Sequence, residues 1–140
     1  MPPVIVYRDN YKYQLDEDYA IQLPDTFKPD SILDIYEPYY ILGIDGLLTI
    51  KAGYAWDGPS GPTFDTKNFM RGSLVHDVLY QLMRDDHLPT TCRKAADELL
   101  RQICIEDGMT SIRAWWVYQG VRIGGGDYVT SEWKPPLTAP

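Results

Sequence analysis

The chain is poor in the features that staple a fold, anchor it in a bilayer or carry it onto nucleic acid. Only two cysteines occur in 140 residues, Cys92 and Cys104. If one helix carries both, they stand about 18 Å apart, beyond disulfide reach. They read as free thiols, with Cys104 a small core residue rather than a nucleophile or ligand. No apolar run is long enough to span a bilayer, and the start, MPPVIVYRDNYKY, lacks a basic flank followed by a long apolar core. The expectation is a soluble protein made in the cytoplasm. Thirteen Lys and Arg face twenty Asp and Glu, a formal charge of −7 with no basic run, which argues against a broad nucleic-acid footprint. Missing too are HExxH, paired CxxC, a GxGxxG fingerprint and a phosphate-cradling loop with its lysine; Gly124-Gly125-Gly126 has no such context.

What is present centres on RGSLVHDVLYQLMR, Arg71 to Arg84. Leu74, Val75, Val78, Leu79, Leu82 and Met83 recur at three- and four-residue spacings, the period of a helix with a broad apolar face. His76 and Tyr80, four apart, share one side of it. Asp77 lies about 100° round from His76, so an adjacent His-Asp pair points into two neighbouring sectors near the rim of a buried helix.

Upstream, Val4 to Tyr7, Tyr11 to Leu15 and Tyr19 to Leu23 read as short strands, the first two turning around Asp9-Asn10. Pro24, Pro29 and Pro38 punctuate a loop-rich connection in which Ser31 to Tyr36 is a helical turn or an irregular edge. Tyr39 to Ile44 and Leu47 to Lys51 flank Asp45-Gly46, a turn dipeptide of tight hairpins. Beyond them, glycine and proline in Asp57-Gly58-Pro59-Ser60-Gly61-Pro62-Thr63 impose an irregular backbone, since glycine permits positive φ and proline fixes φ and removes a donor. That loop is a rigid sheet-to-helix connector or part of a site; Asp57 and Asp65 cap turns or complete an acidic cluster. Tyr54 and Trp56 read as packing residues.

Downstream, Asp85-Asp86-His87-Leu88-Pro89 breaks the helix. Thr90 or Thr91 caps a second helix to about Glu106, carrying Ala95, Ala96, Leu99, Leu100, Ile103 and Cys104, and Gly108 ends it. Thr110 or Ser111 caps a third with Ile112, Trp115, Trp116 and Gln119, fading near Gly120 and stopping at the glycine triplet. The fold class is α+β: a small antiparallel sheet in the N-terminal half, then three helices, one domain over residues 1–126 and an extension over 127–140.

Two readings of the centre stay open. If the second helix returns antiparallel beside the first, Asp97 accepts a hydrogen bond from one ring nitrogen of His76 and leaves the other to take a proton. Tyr80 then supports the pair, and Asp77 with loop carbonyls offers oxygen ligands of the kind calcium takes. The competing reading is a buried polar network tying helices together, with Asp77 paired to Arg71 or Arg84. Zinc is less attractive, because His87, the other histidine, falls in a loop.

GYAWDGPSGPT, RGSLVHDVLYQLMR, the KAADELL helix and the tryptophan-rich third helix together resemble the phage and prophage family named domain of unknown function 1353. The likeness runs from near Tyr39 to around Gly124. It implies a viral or prophage origin, hence a place in the host cytoplasm or the virion, and no accepted activity.

HDVLY also resembles the His-Asp-x-x-Tyr signature of secreted and parvoviral phospholipases of the A2 class. On that likeness His76 is the general base, Asp97 its orienting carboxylate, Tyr80 the supporting tyrosine and Asp77 a calcium ligand, with Gly58 and Gly61 in the calcium loop. The chain departs from those enzymes in lacking their disulfides, in its loop prolines and in a sheet where they carry an amphipathic helix. Three functions follow: a virion, tail or assembly component whose sheet edge and aromatic residues bind another phage protein; a calcium-assisted hydrolase of phospholipid or another ester; or a binder of a host protein.

Overall fold

The computed structural model describes residues 4–9, 13–29, 32–56 and 67–126. The glycine- and proline-rich loop with Asp57, Gly58, Gly61 and Asp65, and the expected extension over 127–140, lie outside the described residues.

The N-terminal half forms two antiparallel sheets. β1 (Tyr7–Asp9), β2 (Tyr13–Leu15) and β7 (Ala55–Trp56) make one, in the order β1-β2-β7. β3 (Tyr19–Gln22), β4 (Ile35–Glu37), β5 (Tyr40–Leu42) and β6 (Leu47–Ile50) make the other, in the order β3-β6-β5-β4. In the larger sheet Tyr19 and Tyr40 both lie opposite Ile50, and Ile21 and Leu42 opposite Leu48. Because strand side chains alternate, that register collects one apolar row on one face. In the smaller sheet Tyr13 stands opposite Trp56, and the Tyr7, Tyr13 and Trp56 rings meet with centroids 5.7–6.0 Å apart.

Several expectations shift in detail. The first strand starts at Tyr7 rather than Val4, so Asp9 is strand and not turn. Ser31 to Tyr36, whose pattern allows a helical turn or an irregular edge, contributes Ile35 and Tyr36 to β4, because Pro38-Tyr39 turns the chain back and lets Ile35 pair with Leu42. Asp45-Gly46 is not a two-residue hairpin turn. The Gly43 amide bonds the Leu47 carbonyl and the Gly46 amide the Gly43 carbonyl, each at 2.9 Å, and only Gly46 takes positive φ, at 88°. The loop is therefore the three-residue kind that ends on a left-handed glycine.

α1 (Lys67–Arg84) begins four residues before the expected helix. It ends with the His87 amide bonded to the Leu82 carbonyl and Asp86 in the left-handed region at φ 62°, a role short polar side chains tolerate best after glycine. Neither Thr90 nor Thr91 caps the second helix by its side chain. They form a 3-10 turn with Cys92, which leads straight into α2 (Arg93–Glu106). Gly108, at φ 104°, closes α2, and the Thr110 hydroxyl caps α3 (Ser111–Gly124), which continues past Gly120.

α1 is the shared wall of two cores. Leu74, Val75, Val78, Leu79, Leu82 and Met83 pack with Leu15, Tyr40, Leu42, Leu48, Ile50 and Trp56 of the sheets. Phe69 joins Leu100, Cys104, Met109, Ala114 and Val117 of the helical side. Polar ends of buried aromatics pin sheet to helix: Trp56 Nε1 donates to Ser73 Oγ at 3.0 Å, and Tyr40 Oη to Asp85 at 2.7 Å. Arg71, one of two candidates for pairing with Asp77, turns instead to Asp107 (2.9 Å) and Tyr19 Oη (3.0 Å). No described helix is long and apolar enough to cross a membrane.

α1 and α2 approach most closely at Gly72, where a Cβ would come within 3.0 Å of both Cys104 Sγ and Leu100 Cδ1. Gly72→Ala is expected to cost about 1–3 kcal/mol through overpacking, outweighing the helix propensity gained. Urea unfolding measures it, and an unchanged or raised midpoint would show that the contact has slack. Burial, then the nearby Asp107 carboxylate, pushes the Cys104 thiol up to about 12. Cys104 should therefore resist thiol reagents in the native protein and react at the rate of unfolding; fast labelling at pH 8 would contradict its placement.

Candidate functional site

The antiparallel course of α1 and α2 follows from the pairs they make: Arg71 meets Asp107, Gly72 meets Leu100 and Cys104, and His76 meets Asp97. The apolar stripes that drive this packing leave His76 on the α1 flank and Asp97 on the facing flank of α2. His76 Nε2 lies 2.7 Å from Asp97 Oδ1, and Tyr80 Oη, one turn along α1, donates to the same oxygen at 2.5 Å. The His76 and Tyr80 rings lean on each other, centroids 4.1 Å apart at 40°. Asp97 is 0% exposed and His76 8%.

A buried carboxylate needs more than a histidine and a phenol to stay ionised. The remainder comes from two arginines that sequence reading had not assigned. Arg122, in the last turn of α3, donates to Asp97 Oδ2 at 2.9 Å, and Arg93 lies 3.7 Å from the same oxygen. Arg93 also donates to the carbonyls of Val121 and Arg122, holding the end of α3 in place. Two signals pointed to them. Arg93 stands four residues before Asp97, the spacing of helix neighbours, and Arg122 is a lone cation late in an otherwise mostly apolar helix. Gly125 completes the fit, because a Cβ there would fall 2.7 Å from Tyr80 Oη.

Burial alone would raise the Asp97 carboxyl, but hydrogen bonds from His76, Tyr80 and Arg122 and the charge nearby hold it below the ordinary carboxylate range. Tyr80 moves the other way, pushed well above a free phenol by burial and then by its bond to the Asp97 anion. Asp97 is thus acceptor only, so the hydrogen between it and His76 sits on Nε2. In neutral imidazole that tautomer leaves the lone pair on Nδ1. No buried side-chain nitrogen or oxygen among the described residues lacks a partner.

The sequence-predicted residues divide accordingly. His76, Tyr80 and Asp97 come together. Asp77 is half-buried on the adjoining sector of α1, while Gly58 and Gly61, its expected companions, lie outside the described residues. No group of three or more His, Cys, Asp or Glu among the described residues is placed to hold a metal ion. The described side chains do not by themselves supply the six to eight oxygens that calcium takes. His87 is engaged elsewhere, with Nε2 3.0 Å from Glu37 on β4.

Asp97→Asn should destabilise the fold by about 3–5 kcal/mol, since it leaves Arg122 without its anion inside a packed site. The pH dependence has a definite sign. A carboxyl whose folded pKa is depressed contributes stability that is complete above its unfolded value, near 3.9, and is lost as pH falls through the lower folded value. The wild-type advantage over Asp97→Asn should therefore be constant from about pH 5 to 7 and shrink below about pH 4. Denaturation midpoints of the two proteins across that range check it; an advantage that grows on acidification would contradict the assignment of charge.

Comparison with known proteins adds a family and nothing further. No curated protein and no solved structure matches the chain. Residues 34–121, from the residue before β4 to the last turn of α3, match the family described as protein of unknown function, DUF1353. That span covers well over half of the chain and holds His76, Tyr80, Arg93 and Asp97, so the chain belongs to the DUF1353 family.

Proposed function

We propose that the chain is a phage-encoded ester hydrolase in which His76 is the general base and Asp97 the residue that orients it. The observation carrying this reading is the shared oxygen: His76 Nε2 and Tyr80 Oη both meet Asp97 Oδ1, at 2.7 and 2.5 Å. The Asp97 contact sets the tautomer and the Tyr80 ring leans on the imidazole, which supports reading His76 as a base of defined direction. Nδ1 would take a proton from water as the water oxygen attacks an ester carbonyl, Asp97 would hold the imidazolium, and His76 would return the proton to the departing alcohol as the tetrahedral intermediate collapses and the ester C–O bond breaks. The same three side chains carry the likeness to phospholipases of the A2 class, which makes phospholipid the first substrate to test.

Phospholipid vesicles and soluble esters, each assayed with calcium and with chelator, provide the test. Turnover is expected, and His76→Ala should lower it by at least about 100-fold while the protein remains folded. The calcium and chelator arms read whether a metal is needed. No turnover in either arm, or equal turnover by His76→Ala, would sink the catalytic reading.

A second reading, a virion, tail or assembly component that binds another phage protein or a host protein, is favoured by a different observation. α3 is apolar on two faces. Ala114 and Val117 face the core, while Ile112, Trp115, Trp116 and Ile123 stand exposed on the other side. Large exposed apolar side chains gathered on one helix face mark interaction surfaces. If this reading holds, the protein co-purifies with phage particles, and Trp116→Lys reduces its incorporation while His76→Ala does not. Particles free of the protein would count against a virion role.

A further inference from the structure

We propose that the outer edge of β4 and the cleft beside it form a docking groove for an extended basic peptide, bound by strand addition. The inference gives a chemistry to the protein-binding reading and is independent of the His76 site.

Three observations converge on it. β4 is the last strand of its sheet, with β5 on one side and no strand on the other among the described residues. In an antiparallel sheet every second residue turns its N–H and C=O away from its partner, so such an edge presents backbone groups that an added strand satisfies. Natural edges are commonly blunted by lysine, proline or a covering element. Here the flank carries apolar side chains instead, with Ile32 91%, Leu33 71% and Tyr36 70% exposed. Beside the edge lies a cleft of about 920 Å³ between β4 and the α1–α2 connection, with Met83, His87, Leu88 and Pro89 among its walls.

Charge selects the occupant. Asp34 and Asp86 line the cleft and no lysine or arginine does, while Glu37, Arg84 and Asp85 stand next to lining residues in the chain. His87 holds Glu37, and Asp85 accepts from Tyr40, so these carboxylates are fixed in position. A strand alternating basic and apolar residues meets both demands. One set of side chains enters the apolar wall, the other faces the acidic rim, and its main chain pairs with β4. A second copy of this chain fits less well, because an acidic rim would meet an acidic rim.

The probe is a fluorescein-labelled peptide of alternating lysine and valine, about eight residues long, followed by anisotropy and by amide chemical shifts of the labelled full chain. Saturable binding is expected, with shifts concentrated at Ile35, Tyr36, Glu37, Met83 and Leu88. Replacing lysine by glutamate, or N-methylating alternate residues of the peptide, should weaken binding by at least about tenfold. Tyr36→Lys and Asp86→Asn should each weaken it too. Both leave the fold intact, since Tyr36 is exposed and asparagine accepts the left-handed backbone at position 86. Binding that ignores N-methylation, or shifts confined to other surfaces, would reduce the effect to charge attraction and overturn the groove. Sedimentation supplies the remaining control: self-association abolished by Tyr36→Lys would assign the edge to a second copy and overturn the peptide. Particle incorporation unaffected by Tyr36→Lys, with no peptide bound, would overturn the groove while leaving the α3 surface as the basis of protein binding.

Discussion

A carboxylate with no exposure to water governs the helical half of this protein. Asp97 sits where three helices converge, and each supplies it with a partner: hydrogen bonds from His76 and Tyr80 of α1 and Arg122 of α3, and an ion pair with Arg93 of its own α2. Removing an anion from water is costly, and the cost is recovered only when partners are already in place. The site is therefore a condition on the packing as much as its product. α3 must run past Gly120 to deliver Arg122, Arg93 must hold the end of α3, and position 125 must lack a side chain so that Tyr80 fits.

Asp97 fixes the His76 tautomer and the Tyr80 ring leans on the imidazole, so the histidine is held as part of the helix packing. Arg122 pairs with the other Asp97 oxygen, which separates this site from an isolated His-Asp pair. The sheet half contributes a different capacity. Its apolar row covers α1, whereas its β4 edge and the neighbouring acidic cleft face outward. Proposed base and proposed groove lie about two turns apart along α1, since Met83, which lines the groove, stands seven residues after His76.

Much of this was legible in the chain because it depends on local period and on residues that punctuate it. The six apolar positions of α1 mark a helix whatever packs on it, Gly108 ends α2 by its backbone freedom, and Thr110 caps α3. The facing of His76 and Asp97 could also be expected, since a short connection between two helices returns the second beside the first. Strand limits were less legible. β4 has three residues and little pattern, and becomes a strand through pairing with β5. Likewise Thr90 and Thr91 carry the chemistry of caps, but Pro89 starts a 3-10 turn that enters α2 without them.

By itself, then, the sequence determined the α+β class, the three helices and the shared helix flank of His76 and Tyr80, because each follows from propensity and periodicity over a few turns. Only the tertiary structure decided that Arg122, 25 residues from Asp97, neutralises it, that Arg71 turns to Asp107, and that β4 forms an edge beside an acidic cleft. Those are long-range pairings, settled by which elements exclude water together. Charge balance in a buried site has no period along the chain, so it becomes visible when the helices meet.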